Sequence, residues 1–71
     1  MHPSTQHILQ FFSYEHLPLR LQAMSKPFAD LAHVVAEATG NPETTVAIRK
    51  LLEAKDAAVR ALIADQSDDN S

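Results

Sequence analysis

The 71-residue chain has no cysteine, no tryptophan, a single glycine and only one tyrosine beside three phenylalanines. Each scarcity removes a class of explanation. Without cysteine there is neither a disulfide framework nor a Cys/His zinc site to brace a small fold. The sole glycine, Gly40, cannot build a phosphate-cradling loop, and no Ser or Thr sits in a recognisable nucleophile elbow, so catalysis is not expected. No run of about eighteen apolar residues occurs, and no charged segment leads into an apolar one. Neither a membrane span nor a signal peptide is therefore expected, and the expected location is the cytoplasm. A basic surplus is missing too. The net charge of -3 argues against a binder of long nucleic acid, which has to displace counterions from many phosphates. An anionic ligand would have to be met by local clusters, at Arg20 with Lys26 and at Arg49, Lys50, Lys55 and Arg60.

What is present is helical punctuation. Gly40 can close one helix in the left-handed conformation, Asn41 can cap the next, and Pro42 at its first position loses no needed donor. Glu43 then stands at the positive end of the second helix. The spacing predicts a leader to about Tyr14, a helix from Leu17 to Thr39, a second from Pro42 to Ala64, and a disordered polar tail over 65–71. The leader, with Ile8, Leu9, Phe11, Phe12 and Tyr14 among polar residues, has room for a short helix, although His2 and His7 read as mobile. Pro27 should kink the first long helix, or restart it behind Ser25 as a cap. A connection this short makes the two long helices antiparallel. The fold class is all-α: one helical-hairpin domain over 1–64.

Leu17, Leu21, Met24, Phe28, Leu31, Val35 and Ala38 alternate four and three apart along the first helix, and Thr45, Ile48, Leu52, Lys55, Val59 and Leu62 do so along the second. A strip of Ala47, Ala54, Ala57, Ala58 and Ala61 runs beside the latter. Together these surfaces are wider than one seam, so a partner beyond the hairpin is expected. A chain this short sits near the lower size limit for independent folding, and homo-oligomerisation into a helical bundle is the simplest supply of core.

Lys55 lies inside the second apolar stripe. It either pairs with a carboxylate, faces an anionic ligand at a subunit junction, or runs its stem along the bundle to water. Asp56 and Arg60, four apart, suit a surface ion pair. Asp30, His33 and Glu37 share one face at metal-ligand spacing, but that face lies opposite the apolar stripe and reads better as solvated. Tyr14 stands where a ring either stacks on a ligand base or closes the base of the hairpin.

Three segments carry a family resemblance: Phe12-Ser13-Tyr14-Glu15-His16-Leu17-Pro18, Ser25-Lys26-Pro27-Phe28, and the run from Thr45 through Arg60. They resemble the helical-hairpin domain shared by phage anti-CBASS sponges and a class of Thoeris inhibitors, over roughly Tyr14 to Ile63. The resemblance implies a homo-oligomer, commonly a hexamer, that holds cyclic oligonucleotide or cyclic ADP-ribose-type signals without cleaving them. In an infected host cell the signal then never reaches its effector. It also implies ligand-binding roles for Tyr14, His16, Ser25, Lys26, Phe28, Lys55 and Arg60. Tyr14 and Lys26 would serve a dinucleotide pocket, and Lys55 and Arg60 a trinucleotide site where subunits converge. No cofactor or metal is implied. The reading of a different class is a protein-binding module, whose apolar leader and alanine strip dock a helical partner such as a toxin or host regulator.

Overall fold

The leader folds because its first residues supply a cap. His2 Nδ1 accepts from the Ser4 backbone N–H at 3.1 Å, and Pro3 takes the first helical position, where no amide donor is needed. In the computed structural model, which describes residues 2–69, helix α1 spans Pro3–Leu9 and runs into a 3-10 turn at Gln10–Phe12. Helices α2, Leu19–Ala38, and α3, Pro42–Asp69, follow, and there is no strand among the described residues. His2 and His7, read in the sequence as mobile, each make contacts within this leader. His7 bonds Gln10 Nε2 at 3.0 Å and meets the Phe11 ring edge-to-face.

The hairpin turn works differently from expectation. Gly40 has no positive φ, so the left-handed closure does not occur. Thr39 ends α2 instead, in extended backbone, and its hydroxyl donates to the Val35 carbonyl at 2.8 Å. That hydroxyl also lies 2.6 Å from Thr44 Oγ1, which accepts from the Asn41 N–H at 3.1 Å. Asn41 Oδ1 in turn accepts from the Glu43 N–H at 2.9 Å. Side-chain oxygens thus bond backbone groups at both helix ends, the Val35 carbonyl and the Glu43 N–H, and no glycine geometry is required.

Pro27 lies inside a continuous α2, and Ser25 is part of that helix rather than the cap of a new one. α3 runs past the expected end at Ala64 to Asp69; Asn70 and Ser71, the end of the polar tail, lie outside the described residues. One anchor for the extension is visible. With its amide oxygen turned toward α2, Gln66 accepts from Arg20 Nε at 3.2 Å and from Nη1, joining the open end of the hairpin.

The seam between the helices is made of small residues. On α2 the buried positions are Ser25, Ala29, Ala32 and Ala36, which meet Ile48 of α3 and Ile8 and Phe12 of the leader. The predicted stripe of Met24, Phe28, Leu31 and Val35 is this seam displaced by one residue, or about 100° of helix. It is therefore only half buried, and Leu31 is 49% exposed. On α3 the predicted stripe is itself the inner face. Ile48, Leu52, Lys55 and Val59 face inward, and one residue earlier Ala47, Leu51, Ala54 and Ala58 form a flank that is exposed or half buried.

In an antiparallel pair the preceding-residue flanks of both helices fall on one face, here called the back. The following-residue flanks, with Asp30 and His33 on α2 and Thr45, Asp56 and Arg60 on α3, form the front. The leader packs on that front: Ser4 and Thr5 each lie 3.5 Å from the Thr45 hydroxyl, and Leu9 and Phe12 share a cavity wall with Asp30 and His33. The front is polar and partly covered. The back is apolar, and nothing among the described residues covers it.

Candidate functional site

Ser25 sits in the seam with its side chain 1% exposed, and its Oγ has no hydrogen-bond partner among the described residues. A helical serine commonly satisfies itself on the carbonyl four residues back. This one does not, and an unmet buried hydroxyl costs about 1–3 kcal/mol. The residue lines a cleft of about 390 Å³ on the front face, at the open half of the hairpin. His16 and Leu17 enter it from the turn before α2, Phe11 and Ser13 from the leader, and Lys55, Asp56, Val59 and Arg60 from α3.

The cleft therefore gathers His16, Ser25, Lys55 and Arg60, which come from three separate segments. The Lys55 side chain is 13% exposed, and its Nζ lies 2.8 Å from Asp56 Oδ1. That pairing selects one of the alternatives for Lys55 and corrects the reading of Asp56. The carboxylate that meets Lys55 is its own neighbour in sequence, and Asp56 consequently serves Lys55 rather than Arg60. Arg60 makes no ion pair among the described residues, leaving its guanidinium to the cleft. Sequence reasoning did not assign Phe11 to a site. Its signal was an aromatic residue on the leader one position away from the buried Phe12, hence on a different side of the turn.

Tyr14 lies elsewhere. It is partly buried against the core and lines a neighbouring cavity of about 300 Å³ with Glu15, Asp30 and His33. Lys26 is on the surface beside it, its Nζ donating to Asp30 Oδ2 at 2.8 Å. That hydrogen bond, reinforced by the Asp30 charge and by Tyr14, holds the Lys26 ammonium above its ordinary pKa. With Asp30 so engaged, the metal-ligand spacing of Asp30, His33 and Glu37 is not realised: among the described residues no three His, Asp or Glu side chains are placed to hold a metal. Phe28 is partly buried at the edge of the core and lines neither cavity.

Ser13 lines both cavities, and the turn that carries it is fastened by Glu15. Glu15 Oε2 accepts from Ser13 Oγ at 3.2 Å and from the Tyr14 N–H at 3.3 Å. Backbone N–H groups of Glu15 itself and of Tyr14, then the Ser13 hydroxyl, hold this carboxyl below its ordinary pKa.

A more voluminous cavity, about 870 Å³, opens at the hairpin turn among His2, Ser4, Thr5, Thr39 and Thr45. Its hydroxyls bond one another and the turn, and it holds no lysine or arginine. The smaller cleft has the richer chemistry: an orphaned buried hydroxyl, two cations, an imidazole, a carboxylate and an exposed aromatic ring. Such a set suits a phosphorylated ligand with a flat apolar part, and the volume falls within the roughly 300–1,000 Å³ of small-molecule sites. Set against known protein families, curated proteins and solved structures, the chain matches none of them.

Proposed function

We propose that this protein is a phage-type immune-evasion sponge: a cytoplasmic homo-oligomer that binds cyclic oligonucleotide second messengers, dinucleotides or trinucleotides, and withholds them uncleaved from CBASS-type antiviral effectors. The observation that carries this reading is the unpartnered, buried Ser25 hydroxyl in a cleft bounded by Lys55, Arg60 and His16. A phosphate in the cleft accepts from Arg60 and stands beside the Ser25 hydroxyl, a spare donor that is enclosed in the free protein. Charge-assisted bonds of this kind are about twice as strong as neutral ones. Sequestration asks nothing more of the site, since the ligand is only held.

Assembly is part of the proposal, and the back face supports it. Among the described residues the large apolar side chains that are buried are Phe12, Ile48 and Ile8, the rest of the buried apolar set being alanine. The radius of gyration is 13.6 Å, where a compact chain of this length has about 11 Å. Such a thin body gains by covering Met24, Phe28, Leu31 and Val35. Large side chains on the α2 flank and mostly alanines on the α3 flank complement each other between copies, in an oligomer of the hexameric kind that the resemblance implies.

Calorimetry with cyclic dinucleotides and trinucleotides tests the reading, with the ligand recovered intact after heating the complex. Absence of binding at micromolar concentration overturns it. The same apolar back face also fits the second reading, a module that docks a helical partner protein. A single-species oligomer in light scattering, with the back face inaccessible to labelling, argues for self-assembly; a monomer that captures a heterologous helix argues for docking.

A further inference from the structure

Asp56 is out of place in a cleft that meets phosphate. A carboxylate beside an anionic ligand repels it, and Lys55 relieves only one of its oxygens, Oδ1 at 2.8 Å. Oδ2 takes no hydrogen bond from the described residues, and the side chain, which lines the cleft, is 47% exposed. A ligand that fits must therefore bring hydrogen-bond donors as well as phosphate. Phe11 bears on the same question. It lines the same cleft, is 51% exposed, and has the His7 ring standing edge-on to it at 83°, an arrangement that braces the phenyl ring through one contact and leaves much of its surface bare for a planar group.

We infer that the cleft selects guanine-bearing phosphate esters, with Asp56 reading the base, Phe11 stacking on it, and Arg60 on the phosphate. The inference rests on the proposed reading of the cleft as a nucleotide site and narrows it. Guanine presents two adjacent donors on its Watson–Crick edge, the N1–H and the 2-amino group, matched to a carboxylate as a parallel pair. Adenine and cytosine each offer an amino donor with a ring acceptor beside it, which a carboxylate repels. Uracil flanks its single N–H with two carbonyls. Only guanine converts Asp56 from a liability into a contact.

Calorimetry on the full chain with cyclic di-GMP and cyclic di-AMP, equal in charge and ring size, reads the selection directly. Cyclic di-GMP is expected to bind at least about tenfold tighter, the discrimination typical of one good bidentate base contact. The inosine analogue, which keeps N1–H and lacks the 2-amino donor, is expected to lose several-fold, about the effect of one such hydrogen bond. Asp56→Asn, which keeps an oxygen beside Lys55, is expected to bring the guanine and adenine ligands within about threefold of each other. Equal binding of the two by the unaltered protein overturns the guanine assignment and leaves the cleft reading standing. Selection that survives Asp56→Asn overturns the role of Asp56. Binding of neither ligand, nor of any cyclic trinucleotide, overturns both readings.

Discussion

Lys55 Nζ lies 2.8 Å from Asp56 Oδ1, so the one cation in the apolar stripe of α3 is neutralised by the residue directly after it. Neighbours in a helix point about 100° apart, so the lysine bends out of the stripe toward the front face to reach its partner. Lys55→Met restores an apolar residue to the stripe, and urea denaturation should show equal or greater stability. Asp56→Ala leaves a nearly buried ammonium alone and should cost about 1–2 kcal/mol, part of the penalty being screened because the aspartate is half exposed. If the two variants are equally stable, the pair has no structural weight. Ligand affinity should fall at least about tenfold in Lys55→Met, reflecting a lost charge contact.

Ser25 should show opposite effects on stability and on binding. Ser25→Ala deletes a buried hydroxyl that has no partner, and it should raise stability by about 1 kcal/mol in the free protein. Cyclic nucleotide binding should weaken at the same time, a trade-off typical of site residues. Thermal melts with and without ligand measure both. A variant that is destabilised and binds normally would remove Ser25 from the site.

At the hairpin turn, Gly40 is replaceable. It has no positive φ, and a Cβ added there meets no atom within 4 Å. Gly40→Ala should therefore stabilise the protein by about 0.4–1 kcal/mol through the unfolded chain. Asn41→Ala removes the cap on the Glu43 amide and should cost about 1 kcal/mol. Denaturation midpoints that move together, in either direction, would contradict this account of the turn.

The two flanks of α2 should answer differently to substitution. Ala32 is fully buried in the seam, and Ala32→Leu should cost about 1–3 kcal/mol by overpacking. Leu31→Glu, one residue away, should leave helicity intact and break the assembly into monomers. Light scattering beside circular dichroism distinguishes these outcomes. A Leu31→Glu protein that keeps its mass would show that the back face is not the subunit contact.

Glu15 makes the turn before α2 sensitive to acid. A carboxyl held below its ordinary range contributes stability above that range, at about pH 4.3 and upward, and loses it as pH falls through the lowered pKa. Melting temperature should therefore decline below about pH 4, and Glu15→Gln should flatten part of that decline. Identical acid profiles for the two proteins would show that the turn does not depend on the charge.

The hairpin was legible because its signals are local. Asn41, Pro42 and Glu43 mark a helix start whatever surrounds them, and they were read correctly. On α3 the seam was legible, since Ile48, Leu52, Lys55 and Val59 face inward as their spacing predicts. On α2 it was not, because periodicity reports the largest apolar residues. Here those are Met24, Phe28, Leu31 and Val35, while the contact inside the chain is made by Ala29, Ala32 and Ala36, whose small side chains let helices approach. The closing conformation at Gly40 was misread because Thr39 and Thr44 do the work through hydroxyls that no helix-end pattern singles out. The cleft could be assembled only in three dimensions. Nothing in sequence spacing sets Phe11 against Arg60, or shows that the Ser25 hydroxyl lacks a partner.

The three cavities described above each take part of their lining from the leader and the turn after it: His2, Ser4 and Thr5 near the hairpin turn, Gln10, Phe11 and Ser13 over the cleft, and Leu9, Phe12, Tyr14 and Glu15 beside Asp30. The hairpin behind them supplies the other walls and the apolar back. A change confined to the leader would therefore reshape part of each of these cavities, Phe11 over the cleft included, and leave Asp56, Arg60 and the apolar back as they are.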